Sequence, residues 1–451
     1  MSNYKKHPLI VGTVILTATG FITRIIGFFY RIYLSRLFGE EGMGIYQLLS
    51  PVLAISFSLS AAAYQTAISK MVAERIAKCS GSRFRPMLAG LSISLPLSLL
   101  CNAVIYILAE PIGIHLLSEP RTIPMLRILS FSIPFSAVHS CINGYFYGIK
   151  RAGIPAAAQL IEQLTRVGCV FVLSGYSLSQ GHTPTINVAV TGLAVGEVIS
   201  MLVTLAAIYY AYTKQHNNTS RLLCLPRAIT CGDALSDTYK GILKMALPLT
   251  ANRIVLNLLV SVESVSLPNM LKTYGYDTVT ALSVYGVLTG MAMPFIFFPN
   301  AVTGSIAVLL LPLISESYAK GDIKAVKSAT MRTVKYCFLL GFSCMCVFLL
   351  IGNYVGTHIF HSPLAGHFIT TLSFICPFIY LDTTLSSILQ GLGMAGHIFV
   401  LNVLCLLIRL TFVFVTVPMF GITGYLWGML ASQIVLCILY LLCLYRFVKR
   451  H

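Results

Sequence analysis

The sequence predicts an all-α, polytopic membrane protein of about twelve transmembrane helices, arranged as two parallel six-helix repeats. Hydrophobic residues make up 57% of the 451 residues and charged residues only 10%, whereas a soluble domain carries about 25% charged residues. The apolar residues recur in runs of about 20 or more, the length that a helix needs to cross a bilayer. Because the hydrocarbon core offers no water, each span has to satisfy its backbone hydrogen bonds internally, as a helix does.

Twelve apolar runs of suitable length follow one another along the chain, six on each side of a polar stretch at Thr213–Lys240. The first six lie at Pro8–Leu34, Gly44–Lys70, Met87–Ala109, Ile123–Tyr147, Pro155–Gly175 and Asn187–Tyr212. The second six lie at Gly241–Leu267, Thr280–Pro312, Thr333–Gly352, Gly366–Gln390, Gly396–Val417 and Ile422–Tyr445. Prolines within several runs, among them Pro134, Pro299 and Pro377, predict kinks in the helices.

The distribution of lysine and arginine sets the expected orientation of these spans. With the N-terminus in the cytoplasm, 22 of the 31 Lys and Arg residues fall in cytoplasmic segments, five fall outside and four lie within spans. An excess of positive charge is typical of cytoplasmic loops. We therefore expect a multi-pass protein of the plasma membrane with both termini in the cytoplasm. The apolar run after Lys5 and Lys6 exceeds the length of a signal peptide, so we expect an uncleaved first span.

An internal repeat relates the two halves of the chain. A seven-residue motif, Leu129-Ser130-Phe131-x-x-Pro134-Phe135, recurs 243 residues later as Leu372-Ser373-Phe374-x-x-Pro377-Phe378. Three further residues recur at the same offset, namely Gly148, Gly153 and Arg166 as Gly391, Gly396 and Arg409. Near the end of each half, Thr191-Gly192-x-x-x-Gly196 recurs as Thr423-Gly424-x-x-x-Gly428. Since each half has an even number of spans, both halves enter the membrane from the same side. We expect one six-helix bundle at 1–212, a cytoplasmic linker at 213–240 and a second bundle at 241–451.

Several functional classes are disfavoured by the sequence. The net charge of +17 is concentrated in the expected cytoplasmic segments, so it does not indicate nucleic-acid binding. Most of the 13 cysteines lie inside apolar runs and none forms a Cys-x-x-Cys pair, so we expect neither disulfides nor a metal site. The sequence has no phosphate-binding loop, no nucleophile elbow and no His-Glu-x-x-His motif. We therefore expect no enzymatic activity and no cofactor.

Ionisable residues inside the spans are the candidate functional residues, because a charge at the bilayer centre costs at least about 2.5–3.5 kcal/mol. The basic ones are Arg24, Arg166, Arg253 and Arg409, and the acidic ones are Glu162, Glu197, Glu263 and Asp382. A guanidinium stays charged and donates two parallel hydrogen bonds, which suits a pyrophosphate. The pattern predicts an anion-binding role for the arginines. The acids would either bind a coupling Na+ or H+ or neutralise the arginines.

Some of these residues also allow a purely structural interpretation. Glu162 and Arg166 stand four residues apart with the acid first, the order that favours an ion pair on one helix, and an interhelical ion pair is the alternative for Arg409. Arg24 and Arg253 have no acidic residue three or four positions away. We expect these two to face a wet cavity, a partner on another helix or an anionic ligand. His139 either relays protons or is a hydrogen-bonded packing residue.

Several segments of the chain resemble a known family. The sequence reads GFITRIIGFFYR at Gly20–Arg31, FGEEGMGIY at Phe38–Tyr46 and AISKMVAE at Ala67–Glu74. In the second half it reads FPNA at Phe298–Ala301 and LPLISE at Leu311–Glu316. These segments resemble the stage V sporulation protein B group of the multidrug/oligosaccharidyl-lipid/polysaccharide exporter superfamily, and the resemblance covers essentially the whole chain.

The resemblance implies two bundles around a central cavity and alternating access of a rocker type in a bacterial plasma membrane. It also implies a polyprenyl-pyrophosphate-linked saccharide as substrate, such as the peptidoglycan precursor lipid II. The related lipid II flippases carry Ser-Arg-x-x-Gly-Phe-x-Arg-Asp in the first span. Thr23, Arg24, Gly27 and Phe28 match that pattern, and the second arginine carries over to Arg31 with a shift of one residue. The aspartate has no counterpart here.

Three functions stay open at this point. The first is a flippase for a lipid-linked saccharide, with membrane lipids and cell-wall synthesis enzymes as partners and a role in cell-wall biogenesis or sporulation. The second is a multidrug/cation antiporter of the same superfamily, which should centre on acidic residues, whereas the first span offers Arg24 and no acid. The third is a non-transporting scaffold for spore-envelope assembly. A scaffold predicts that neutralising Arg24 or Arg253 leaves function intact.

Overall fold

A computed structural model of the chain describes residues 8–77, 82–219 and 235–450. Within these ranges the chain forms helices and turns and contains no strand, which confirms the predicted all-α class. Most of the expected linker at 213–240 lies outside the described residues, since one helix ends at Thr219 and the next begins at Leu235. Lys5 and Lys6 lie outside them as well.

The first half contains eight helices among its described residues. They are α1 (Pro8–Gln47), α2 (Ser50–Phe57), α3 (Ala63–Ala77), α4 (Arg85–Ile107), α5 (Ala109–Pro111), α6 (Thr122–Gly148), α7 (Gly153–Ser179) and α8 (Asn187–Thr219). There are also two short π-helical segments: Ser58–Ala62 joins α2 to α3, and Ile112–Leu116 follows α5.

The described residues of the second half form ten helices. They are α9 (Leu235–Tyr274), α10 (Thr278–Gly286), α11 (Met293–Phe297), α12 (Asn300–Ala319), α13 (Ile323–Tyr354), α14 (Pro363–Leu372), α15 (Cys376–Gly391), α16 (Ala395–Val415), α17 (Val417–Phe420) and α18 (Ile422–Arg450). Again π-helical segments interrupt the pattern, at Val287–Ala292 and Val355–Ile359.

The chain divides into two compact units. The first unit consists of Met1–Gly27 and Leu49–Asn257, and the second consists of Phe28–Leu48 and Leu258–His451. The long helices α1 and α9 therefore each contribute their beginning to the first unit and their end to the second. The boundaries expected from the sequence, 1–212 and 241–451, follow chain order and stay a prediction.

The core of the first unit is built where α3, α4 and α6 pack closely. Its buried residues include Ile68, Ala89 and Phe146. Glycine permits this packing, because a Cβ added at Gly144 would lie 2.6 Å from the backbone oxygen of Gln65. Small residues at helix contacts are typical of membrane bundles, where close backbone approach supplies much of the packing energy.

The second unit has a comparable core around α12, α15, α16 and α18, with buried residues that include Ile314, Leu385 and Tyr440. Here α13 approaches α15 so closely that a Cβ at Gly341 would lie 2.5 Å from the Cα of Pro377. The second piece of α1 also packs in this unit, because the added Cβ of Gly44 would collide with the backbone of Leu282 on α10.

The backbone reproduces the internal repeat in detail. The π-helical segments Ile112–Leu116 and Val355–Ile359 are separated by the same 243 residues as the repeated sequence motif. Ser118 and His361 follow at the same offset and both have positive φ, 54° and 55°. Lys150 and Gly393 form another such pair, with φ of 60° and 79°. Because non-glycine residues rarely adopt positive φ, these matched positions support a common origin for the halves.

Thirteen helical stretches of the described residues are long and apolar enough to cross a membrane, against twelve runs in the sequence. The extra one arises in the eighth run, which is split into Thr278–Phe297 and Asn300–Ala319. The two linking residues, Phe298 and Pro299, keep helical angles of −58°, −48° and −67°, −18°. Proline lacks the amide hydrogen and kinks a helix without reversing it. The two stretches therefore form one bent segment, as the sequence predicts.

Candidate functional site

Four ionisable side chains meet inside the first unit. Nε2 of His139 on α6 lies 2.8 Å from Oε2 of Glu197 on α8, and Nη2 of Arg166 on α7 donates to Oε1 of Glu162 at 2.8 Å. The ligand atoms of His139, Glu162 and Glu197 all lie within 4.8 Å of one another. These three could therefore hold a metal ion, although no spacing in the sequence identifies them as a set. We name these four residues the His139 cluster.

The glycines of the repeated Thr-Gly-x-x-x-Gly motif bring the His139 cluster together. A Cβ at Gly196 would lie 3.2 Å from the backbone oxygen of Glu162, and one at Gly192 would collide with Val170. The absence of side chains at these two positions lets α8 approach α7 closely. This approach places Glu197, the residue after Gly196, beside Glu162.

A second charged group is buried in the second unit. Arg409 on α16 donates from Nε to Oε1 of Glu263 on α9 at 2.8 Å, and from Nη2 to Oε2 of the same carboxylate. The hydroxyl of Tyr425 on α18 donates to Oε1 at 2.7 Å. The Glu263 side chain is only 3% exposed. Three helices are thus joined by a bidentate ion pair and a hydrogen bond, which we name the Glu263 triad.

Asp382 on α15 is another buried acid of the second unit. The residue is 8% exposed, and neither carboxylate oxygen has a hydrogen-bond partner among the described residues. A buried charge without a partner is costly, so such a group is normally paired, protonated or bound to a cation. The arrangement therefore leaves Asp382 available to a proton or a monovalent cation.

The arginines outside these groups are placed differently. Arg24 is the seventeenth residue of α1 and Arg253 the nineteenth residue of the 40-residue α9. Both belong to the first unit, both are exposed, and neither has a hydrogen bond or ion pair to the described part of the chain. Arg31 is half-buried and takes part in a polar or electrostatic interaction.

Besides Arg31, the sequence singled out eight residues, and the structure sorts them into two groups. Five of them have charged or hydrogen-bonding partners: Arg166 pairs with Glu162, Arg409 pairs with Glu263, and Glu197 contacts His139. The other three, Asp382, Arg24 and Arg253, have no such partner in the described residues. Two contributors were missed. Tyr425 follows a glycine of the repeated motif but carries no sign of its distant partner, 162 residues away. For His139 the sequence predicts a proton relay or a hydrogen-bonded packing residue, and it carries no sign of the partner Glu197, 58 residues away.

Comparison with known proteins places the chain. The family model described as "Polysaccharide biosynthesis protein" matches residues 9–318. The chain belongs to this family. Among curated relatives, stage V sporulation protein B of Bacillus subtilis (strain 168) is 27% identical over 438 residues, which cover 96% of this chain and 83% of the relative. Lipid II flippase MurJ of the same organism is 23% identical over 410 residues, covering 86% and 73%.

Solved structures show that this chain has the fold of MOP superfamily transporters. An inward-facing multidrug resistance MATE family transporter of that superfamily aligns with a TM-score of 0.71 at 18% identity, covering 95% of both chains. Lipid II flippase MurJ in an inward closed conformation aligns with a TM-score of 0.71 at 14% identity, covering 96% of this chain and 87% of that one. These comparisons confirm the resemblance to the exporter superfamily that the motifs indicate. They also confirm the prediction that the chain is a multi-pass membrane protein.

Proposed function

We propose that the protein is a flippase that moves a polyprenyl-pyrophosphate-linked saccharide, lipid II or a related cell-wall precursor, across the bacterial plasma membrane by alternating access. The observation that carries this proposal is the state of Arg24 and Arg253. Both guanidinium groups are exposed near the middle of membrane-length helices without a partner in the described residues. The relationship to a lipid II flippase and to stage V sporulation protein B supports the substrate class.

The cost of these two charges argues for a wet, anion-binding environment. An arginine at the centre of a span costs at least about 2.5–3.5 kcal/mol on insertion scales. Facing lipid, Arg24 and Arg253 would bear that cost without compensation. Facing a water-filled cavity, they keep their hydration until a ligand arrives. A pyrophosphate offers oxygens to both forks of a guanidinium, and charge-assisted bidentate contacts are the strong hydrogen bonds of proteins.

Arg166 and Arg409 have a different role in this proposal. Each already contacts a carboxylate at 2.8 Å, so a substrate phosphate would have to displace that partner. We assign both arginines to stabilising the bundles, with Glu162 and Glu263 as their charge partners. Arg31 stays a candidate for a second substrate contact on α1, because it follows Arg24 by two helical turns.

The direction of transport needs an energy source, and two features could supply it. A head group with a charge of about −2 that leaves a negative-inside cell gains about 2.3 kcal/mol per charge per 100 mV, if its charge moves uncompensated. In addition, Asp382 is buried and has no hydrogen-bond partner in the described residues, so it is our candidate for taking up H+ or Na+. Binding there would change the charge of the second unit between the loaded and the empty state.

The test is the exposure of lipid II on the outer leaflet of cells depleted of their own flippase. We expect the wild-type chain to restore exposure, and Arg24→Ala or Arg253→Ala to abolish it at equal membrane abundance. Arg24→Lys should restore only part of it, because an ammonium cannot form the bidentate contact. Arg332→Ala is the matched control, since Arg332 is an exposed arginine near the start of α13 and should be dispensable.

The other outcomes separate the alternatives. Full activity of folded Arg24→Ala and Arg253→Ala would refute the binding role of these arginines and favour a scaffold. No exposure with well-folded wild type would remove lipid II as the substrate, and other polyprenyl-linked sugars would be assayed next. A multidrug/cation antiporter is the second candidate, because Asp382 is a buried acid that has no hydrogen-bond partner among the described residues. Efflux of a cationic dye that is lost in Asp382→Asn and kept in Arg24→Ala would support that candidate.

A further inference from the structure

The His139 cluster contains neither Arg24 nor Arg253, the arginines proposed to bind substrate. Its four side chains come from three helices, α6, α7 and α8, and are between 11% and 20% exposed. Asn143, one turn along α6, adds an amide nitrogen 3.4 Å from Nδ1 of His139. The described hydrogen bonds and ion pairs of His139 involve no charged group from α2, α3 or α4. The charge of the cluster is therefore set by His139, Glu162, Arg166 and Glu197.

The charges of this cluster do not balance when His139 is neutral. Two carboxylates and one guanidinium sum to −1, and one further positive charge brings the sum to zero. Poorly solvated charges are tolerated only when they are compensated by close partners. The cluster therefore has room for one monovalent cation and not for more.

The geometry favours a proton as that cation. At the 2.8 Å separation between Nε2 of His139 and Oε2 of Glu197, Nε2 can donate a hydrogen bond to the carboxylate from either the neutral or the charged imidazole. The further proton can bind at Nδ1, toward which a flip of the Asn143 amide would turn an oxygen that has no hydrogen-bond partner in the described residues. A divalent metal on His139, Glu162 and Glu197 would leave a net charge of +1 beside the Arg166 guanidinium. Na+, a hard cation that prefers oxygen ligands, would share two carboxylates that each already use one oxygen to contact Arg166 or His139.

The internal repeat gives an independent reason to regard this position as functional. His139 follows Pro134 by five residues, and Asp382 follows Pro377 by five residues, so the two stand at the same position of the 243-residue repeat. Both are buried. Each half thus carries one buried ionisable group at the same point of its fourth span, five residues after a proline. In the first half that group has an acidic partner, and in the second half it has none in the described residues.

We propose that His139 and Glu197 form a one-proton binding site in the first unit, with Glu162 and Arg166 setting its charge balance. Loss of the proton would leave Glu197 facing a neutral imidazole and weaken the contact between α6 and α8. The packing of the first unit would then depend on the protonation state of His139. Only its use in driving transport rests on the proposed function.

The test is a histidine titration by nuclear magnetic resonance of the full chain in lipid nanodiscs, with ring nitrogens labelled. His139→Gln assigns the His139 signal by its disappearance. We expect this imidazole to take up one proton as the pH is lowered. Glu197→Gln and Glu162→Gln should each weaken proton binding by about tenfold, and Arg166→Gln should strengthen it by about tenfold. A residue that only packs would not give shifts of opposite sign.

His397→Gln is the matched control, because His397 is an exposed histidine on α16 and should leave the His139 titration unchanged. An imidazole that stays neutral throughout, or variants that all shift in one direction, would overturn the proposal. Saturable binding of Zn2+ or Mn2+ that removes the His139 titration would show a metal site instead. The titration needs no substrate, so it can succeed even if lipid II exposure is not restored. In a flipping assay, His139→Gln should then flatten the pH dependence of the rate.

Discussion

The Glu263 triad makes the sharpest prediction about stability. Glu263→Gln keeps the size of the side chain but removes its charge, so Arg409 is left as an uncompensated charge on a side chain that is only 16% exposed. Removing one partner of a buried ion pair typically costs about 3–5 kcal/mol. Tyr425→Phe removes a single hydrogen bond of 2.7 Å to the same carboxylate and should cost about 1.5–3 kcal/mol.

The double variant Glu263→Gln/Arg409→Gln separates this reasoning from a simple loss of contacts. Since it removes both charges, no buried charge is left without a partner, and it should be more stable than either single variant. The free energy of unfolding would be measured in mixed micelles by titration with dodecyl sulfate, following helical circular dichroism. Glu316→Gln is the control, because Glu316 and Lys320 form a pair at 2.5 Å whose side chains are 68% and 69% exposed. We expect no measurable loss there.

Two results would refute the reasoning. Glu263→Gln could prove as harmless as Glu316→Gln, or the double variant could lose the sum of the two single losses. The same variants also decide the role of Arg409. If Arg409 stabilises the bundle, the stable double variant keeps its flipping activity. If the double variant is stable and inactive, Arg409 contacts the substrate, as the sequence predicts.

Two backbone predictions concern glycine. Gly39→Ala should destabilise the protein by about 1–3 kcal/mol, because Gly39 has φ 71° and ψ −173°. Its control is Gly153→Ala, in a helix with open space around it, which should be neutral or slightly stabilising. Equal effects of the two substitutions in the unfolding assay would contradict this reasoning. Gly286→Ala should lower the free energy of unfolding by about 1–3 kcal/mol or more, because its Cβ would collide with the backbone of Glu40 and Gly44. The control is Gly168→Ala, whose Cβ would meet nothing within 4 Å. A neutral Gly286→Ala would mean that α1 and α10 are not in close contact in solution.

The sequence predicts the spans well because each must be apolar over about 20 residues, and composition alone reveals such a stretch. It predicts their ends less well, because helices continue beyond the apolar run. The apolar pattern predicts the ninth span at Thr333–Gly352, whereas α13 begins ten residues earlier at Ile323. Lys324, Lys327 and Arg332 in that earlier part are compatible with a helix but not with hydrocarbon. The Gly39 break inside α1 left no hydropathy signal.

The charged groups show the same division between local and distant information. The contact of Glu162 with Arg166 was predictable, since residues four apart on a helix are neighbours. The contact of Glu263 with Arg409 spans 146 residues, and that of His139 with Glu197 spans 58. No periodicity connects such positions, because they meet only through the packing of α9 with α16 and of α6 with α8. What the sequence does show is that each residue is charged or titratable in an apolar run and therefore requires a partner or a ligand.

The two halves have kept the same backbone but use their charges differently. Arg166 and Arg409 are equivalent by the repeat, yet Arg166 pairs within its own helix and Arg409 pairs across helices with Glu263. In the first half the within-helix pair leaves α6 and α8 to be joined through His139 and Glu197, a contact that a proton on the imidazole would strengthen. In the second half a permanently charged guanidinium holds α9 to α16, and Asp382 is left without a partner in the described residues. One half thus uses a titratable link and the other a permanent one. Changes of protonation at His139 should therefore loosen the first unit while the second unit keeps its packing.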